Sequence, residues 1–222
     1  MWRRPEGCYR EYLGATIMTR GAVLVSGGGT KLQALLDSVY FGEIPDFELV
    51  SVISSDAQAY AMTRAKTAGV PAFTVDPAMF PTTSSFSMAM ANKLRDMDVD
   101  LVILAGYKMP LGTVASTYKN RVIGVYPSLI PAFEDCQGSV HRAVLERGAK
   151  VTGATAYFAS QEGGIGPIIL QKPVEVKQDD TVESLRSRVM EEAEWKLLPQ
   201  AVTLYCQGRL EVRGMRVIIK EK

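Results

Sequence analysis

The strongest constraint on this chain is a series of short segments that are apolar almost without interruption. Ala22–Val25, Leu49–Ile53, Leu101–Leu104 and Val122–Val125 are such segments. A strand with one face in water alternates apolar and polar residues, whereas a strand covered on both faces does not. Helical patterning follows the first segment through Leu32, Leu35, Leu36 and Val39, and the second from about Tyr60 to Ala68. A third strand, Pro71–Val75, leads to a helix around Phe86 to Met97, and a short helix near Leu111 to Tyr118 follows Leu101–Leu104. Covered strands alternating with helices predict a doubly wound, mostly parallel α/β sheet.

The second half changes character. A helix over Val140–Glu146 leads to strands around Thr152–Phe158 and Ile168–Val176. A long helix then starts at Thr181, with Asp180 or Thr181 as its N-cap. It runs through Leu185, Val189, Trp195 and Leu198 to near Gly208. Leu210–Val212 and Val217–Ile219 flank Arg213-Gly214 as a terminal hairpin. Nothing marks a linker, so residues 18–222 read as one Rossmann-type domain and residues 1–17 as an extension before it.

Composition narrows the classes of function. The 25 basic residues nearly cancel the 24 acidic ones, which gives no electrostatic footprint for nucleic acid or an anionic membrane. No apolar run approaches the roughly 18 residues needed to span a bilayer. Cys8, Cys136 and Cys206 show neither CxxC spacing nor a disulfide framework and read as free thiols of a cytoplasmic protein. A single histidine, His141, argues against a zinc site, and no metal is expected.

The first strand runs directly into Ser26-Gly27-Gly28-Gly29-Thr30-Lys31, where a helix opens. Glycines allow a tight turn and a close backbone approach, and the helix start offers free N–H groups to an oxyanion. Gly28, Gly29, Thr30 and Lys31 are therefore candidates for holding the phosphate of a small phosphorylated ligand, with Lys31 as a mobile cation at the mouth. The loop matches neither GxxxxGK[ST] nor a full GxGxxG, and the plain alternative is a βα turn that binds nothing.

Five blocks carry a resemblance to a known family. They are Val25–Leu35, Leu104-Ala105-Gly106-Tyr107, Tyr126-Pro127-Ser128-Leu129-Ile130-Pro131, Lys150–Thr155 and Gly166–Gln171. In this order and spacing they resemble the folate-dependent glycinamide ribonucleotide formyltransferases of purine biosynthesis. The resemblance implies a ribonucleotide phosphate on the amides of Gly29, Thr30 and Lys31, where the family usually has Asn at the last position. It places ribose hydroxyls against Glu194. It places a 10-formyltetrahydrofolate cosubstrate along Tyr107, Lys108, Met109 and Leu111, under the loop of Ser160, Gln161, Glu162 and Gly163.

The same resemblance implies a departure at the centre of the site. The family's Asn-x-His-Pro-Ser-Leu reads Gly124-Val125-Tyr126-Pro127-Ser128-Leu129 here, and its later Asp reads Gly164. That Asn would stabilise the oxyanion, and the His, oriented by the Asp, would assist proton transfer. Glycine supplies neither a side-chain donor nor a charge, and a tyrosine, with an ordinary pKa of about 10, is a poor base at neutral pH. Segment 132–139, Ala-Phe-Glu-Asp-Cys-Gln-Gly-Ser, is also unlike the family, where Gly, aromatic and His residues are common. Glu162 and Asp135, then Glu134 and the thiol of Cys136, are the nearest groups for rebuilt chemistry; their plain reading is as solvated loop residues and an incidental thiol. His141 reads as a structural residue at a helix start, and Arg64 as a surface charge.

Three functions remain open. One is a family member impaired or inactive in formyl transfer that still binds a phosphorylated ligand or a folate. The alternative is an active formyltransferase with replacement residues. The third is a partner-binding protein whose pocket has closed.

Overall fold

The computed structural model describes residues 18–221, so the extension read over residues 1–17, with Cys8, lies outside them. The apolar segments become the strands of one sheet. β1 (Thr19–Val25), β2 (Phe47–Ser54), β3 (Ala72–Thr74), β4 (Leu101–Leu104) and β5 (Val122–Tyr126) come first, followed by β6 (Val151–Ala159) and β7 (Ile165–Glu175). β8 (Leu210–Arg213) and β9 (Arg216–Ile219) close the chain. The order across the sheet is β3-β2-β1-β4-β5-β6-β7-β9-β8. From β3 to β5 every pairing is parallel; β6 then runs antiparallel to both β5 and β7. β9 pairs parallel to β7, and β8 antiparallel to β9.

Helices cover both faces, as continuous apolar strands require. On one face lie α1 (Thr30–Tyr40), α2 (Tyr60–Thr67), α5 (Val140–Glu146), α6 (Val182–Val189) and α7 (Trp195–Cys206). Their Leu32, Leu35, Ala65, Val144, Leu185 and Leu198 pack on Val23, Val52, Ile103 and Ile123. On the other face α3 (Thr83–Asp96) and α4 (Thr113–Thr117) bring Phe86, Met90, Leu94 and Val114 against Ala22, Leu24, Val102 and Val122. Alternate residues of the same strand thus serve two cores. The chain is a single α/β domain with a mixed, mostly parallel sheet.

Several boundaries differ from the sequence reading. β1 and β2 extend to Thr19 and Phe47, which pair with each other, and the Phe47 ring lies against Gly21 where a β-carbon would stand. α3 begins at Thr83, where Thr82 and Ser85 form a capping box, and a 3₁₀ turn over Pro77–Met79 precedes it. Thr181, not Asp180, caps α6 in a second box with Ser184. Asp180 instead pairs with Arg188 at 2.5 Å and accepts from the Ser184 hydroxyl at 2.8 Å.

The long helix is not one regular α-helix. Met190–Glu194 forms a π turn between α6 and α7. Buried Leu185, Val189, Ala193, Leu197 and Ala201 recur every four residues. At 3.6 residues per turn that row would drift steadily off the core, and a widened turn brings it back. The widening also buries Glu194 beside Ala193.

Candidate functional site

The site grows from the carboxyl ends of β1, β4 and β5, the edge where open α/β sheets present ligands. After Val25 the chain turns through Ser26 to Gly29, and Gly29 adopts φ 70°. A β-carbon there would stand 2.7 Å from Ala61 Cβ, so both conformation and space require glycine. No protein atom lies within 4 Å of the β-carbon positions of Gly27 and Gly28, which leaves one side of the loop open. α1 starts at Thr30 with no side-chain cap, in contrast to the boxes of α3 and α6. Its first-turn N–H groups therefore face the loop without a side-chain acceptor.

Two cations flank this loop in ways the sequence did not disclose. Lys31 is not mobile at the mouth. Its ammonium lies 3.1 Å from Glu194 Oε1 and 3.4 Å from the Val125 carbonyl, with 17% of the side chain exposed. The cause is Glu194: its carboxylate is 3% exposed and needs a counter-charge. Arg64, read as a surface charge, is a clamp. It donates from Nε to the Gly28 carbonyl at 2.9 Å and from Nη1 to Gln33 Oε1 at 2.9 Å, while its guanidinium lies over the Tyr60 ring.

The second wall comes from residues 105–112 and the turn after β6. Ser26 Oγ shares a hydrogen with Ser55 Oγ at 2.7 Å and accepts from the Lys108 amide at 3.0 Å, tying this wall to the glycine loop. Tyr107 and Met109 are half-buried, Leu111 is buried and Lys108 is exposed. Ser160 closes a tight turn, its amide donating to the Gly164 carbonyl at 2.9 Å and its hydroxyl accepting from the Gly164 amide at 3.1 Å. Gly163, at φ 88°, sits where a β-carbon would meet Leu111 Cβ at 3.2 Å. The two segments read as one folate pocket therefore do meet, at Leu111. Gln161 and Glu162 point into solvent from the tip of this turn.

Between the walls lies Gly124-Val125-Tyr126. Tyr126 is engaged: its hydroxyl donates to the Phe133 carbonyl at 2.7 Å, with the Glu134 carbonyl at 3.3 Å. Burial, then the charges of Cys136, Glu134 and Asp135, pushes its pKa upward, away from any role as a base. Asp135 and Glu134 are exposed on the loop that Tyr126 holds, and Cys136 is half-buried. Gly164 contributes only backbone. The sequence reading missed Tyr157. β6 places it directly opposite Gly124, and its ring lies over that glycine. Only strand register reveals the pairing.

The floor is fixed by one hydroxyl. Thr155 Oγ1 donates to the Ser128 carbonyl at 2.7 Å and accepts from the Ile130 amide at 3.1 Å and Gln171 Nε2 at 3.0 Å. Gln171 also donates to the Ile130 carbonyl at 2.9 Å. Three of the sequence blocks thus meet in one network. His141 is buried in the first turn of α5 with its Nε2 unpartnered. Burial lowers its pKa, the Glu194 charge raises it, and Arg186 and Lys31 lower it further.

Among the described residues no three His, Cys, Asp or Glu side chains gather as a metal site, and no helix is long and apolar enough to cross a membrane. Two surface hollows, about 500 Å³ beside Val70–Ala72 and about 360 Å³ around Trp195 and Pro199, are lined by no residue of the glycine loop.

Comparison with known proteins agrees with this geometry. Residues 19–202 match the profile of the Formyl transferase family. A phosphoribosylglycinamide formyltransferase from Haemophilus influenzae is 30% identical over 197 residues, 88% of this chain and 91% of that protein. The trifunctional purine biosynthetic protein adenosine-3 of Gallus gallus is 36% identical over 193 residues, 86% of this chain. The chain spans only 19% of that longer relative. The crystal structure of glycinamide ribonucleotide transformylase 1 from Symbiobacterium toebii superposes with a TM-score of 0.88 at 42% identity, covering 98% of this chain and 100% of that one. The profile match, the near full-length relatives and the shared sheet make this chain a member of the formyl transferase family and a homologue of its glycinamide ribonucleotide transformylases.

Proposed function

We propose that this chain transfers a formyl group from 10-formyltetrahydrofolate to the amine of glycinamide ribonucleotide, through a centre in which replacement residues stand for Asn, His and Asp. The observation that carries this reading is the joining of two half-sites at one sheet edge. An uncapped helix start behind an open glycine loop lies on one side, and the wall of residues 105–112 with the 160–164 turn lies on the other. In this reading the amides of Gly29, Thr30 and Lys31 hold the phosphate. Arg64 keeps the loop in shape, and Glu194 faces the ribose once Lys31 shares its charge with the incoming anion. Tyr107, Met109 and Leu111 supply the apolar surface for the pterin, under Ser160–Gly163. The full-length relatives named for this activity support turnover over silent binding.

A second reading, binding without turnover, is favoured by one observation: the Tyr126 hydroxyl is held by the Phe133 carbonyl and Gly164 offers no carboxylate. Holding two reactants in register is itself a large contribution to rate, so loss of a base slows transfer without abolishing it. The test is formyl transfer at high enzyme concentration, with glycinamide ribonucleotide titrated by calorimetry beside it. Transfer above the uncatalysed rate is the expected result. Tight binding with no product over hours selects the second reading, and no binding of either reactant removes both.

A further inference from the structure

Four observations converge on Tyr157. First, the β5–β6 register sets it directly across from Gly124. Second, a β-carbon at position 124 would stand 2.8 Å from Tyr157 Cζ and 2.8 Å from its hydroxyl oxygen, closer than packed atoms allow. The place of a side chain at 124 is thus filled by a phenol arriving from the neighbouring strand. Third, this hydroxyl has no hydrogen-bond partner among the described residues, whereas Tyr126 spends its own on a backbone carbonyl. Fourth, burial and then the neighbouring Tyr126 push the Tyr157 pKa up to about 12, so the group keeps its proton across the neutral range. A half-buried, neutral O–H without a protein partner, set against Gly124 and level with the last residue of β4, is a donor open to an acceptor.

We propose that Tyr157 is the hydrogen-bond donor to the oxygen of the transferred formyl group, taking the part that no side chain at position 124 can play. This rests on the formyl-transfer reading. The amine nitrogen of the ribonucleotide uses its lone pair to form the new C–N bond, and the carbonyl π pair moves onto oxygen. The Tyr157 O–H donates to that oxygen as its charge grows and keeps its own proton throughout. When the pair returns, the bond from formyl carbon to folate N10 breaks. The proton shed by the amine passes through water to N10, so protons balance and Tyr157 ends as it began. A phenol is suited to this because it is a strong neutral donor, and a site of low polarity strengthens the bond as charge develops.

The experiment pairs kinetics with a direct view of the carbonyl. Tyr157→Phe keeps the ring and removes only the donor. The expected result is a fall in kcat of about 10²-fold, the usual loss for one such donor, with KM within about twofold. Tyr157→Ala loses activity similarly, and Gly124→Asn/Tyr157→Ala, with room for the new side chain, regains part of it. Separately, a folate carrying a ¹³C-labelled N10-formyl group is bound and its C=O stretch read by difference infrared spectroscopy. The stretch lies lower in wild type than in Tyr157→Phe. Equal kcat in wild type and Tyr157→Phe, or one C=O frequency in both, overturns the assignment. A wild type that shifts the stretch through Tyr157 yet makes no product keeps the donor and overturns the transfer reading instead.

Discussion

Two residues at this site are what they are because of residues far away in sequence. Gly124 has no β-carbon because the Tyr157 ring occupies its place. Gly124→Ala is expected to displace that ring and destabilise the fold by about 2 kcal/mol, the scale of an overpacked core. Adding Tyr157→Ala should remove most of the penalty specific to the pair, a coupling visible in a double-mutant cycle by urea unfolding. Lys31 is defined by Glu194, 3.1 Å away and almost fully buried. Lys31→Met strands that carboxylate and is expected to lower stability by about 2 kcal/mol. That is less than the roughly 3–5 for a fully buried pair, because the lysine keeps some contact with water. Lys31→Met/Glu194→Gln should recover most of it. Neither relation could be read from the residues alone. A lysine behind glycines looks like a free phosphate ligand until the fold brings a carboxylate from the far end of the chain.

Among elements, those legible in the sequence were the ones whose burial is two-sided or whose face is strongly apolar. β4 and β5 were bounded to within a residue because Leu101–Ile103 and Val122–Val125 are buried and Leu104 is half-buried. α5, over Val140–Glu146, was read with its full bounds. The π turn over Met190–Glu194 was not, since its residues are ordinary helix formers and its cause is the four-residue spacing of the core row across the whole helix. The start of α6 shows local chemistry deciding a choice that the sequence left open. Thr181 takes the cap, and Asp180 is released to pair with Arg188. The Arg188 hydrogen bond holds the Asp180 carboxyl well below its ordinary value of 3.8. A depressed folded pKa contributes stability that is fully present above the ordinary value and is lost as pH falls through it toward the folded one. Urea midpoints measured below about pH 4 should therefore drop more steeply for wild type than for Asp180→Asn.

At the scale of the molecule, the parallel half of the sheet carries the glycine loop and the antiparallel half carries Tyr157 and the Thr155 network, so the site straddles the change of direction. The architecture was legible because continuous apolar strands alternating with helices admit few arrangements. Which residues confront one another across β5 and β6 was not, because register is a property of two strands together. His141 gives a global readout. Its folded pKa is lowered chiefly by burial, so below the ordinary value of 6.5 the unfolded chain binds a proton that the folded chain refuses. Stability should fall as pH drops below about 6.5 until the native imidazole itself protonates. His141→Gln should flatten that region, an unambiguous test because the sequence holds one histidine. The Gly124–Tyr157 contact also has a consequence for descent. With the ring in place, any larger residue at 124 meets a filled space, and with glycine in place, losing the ring empties the centre. The two positions are therefore expected to change together. A lineage that has taken this pair does not return by a single substitution, so sequences that branch from it should carry both residues or neither.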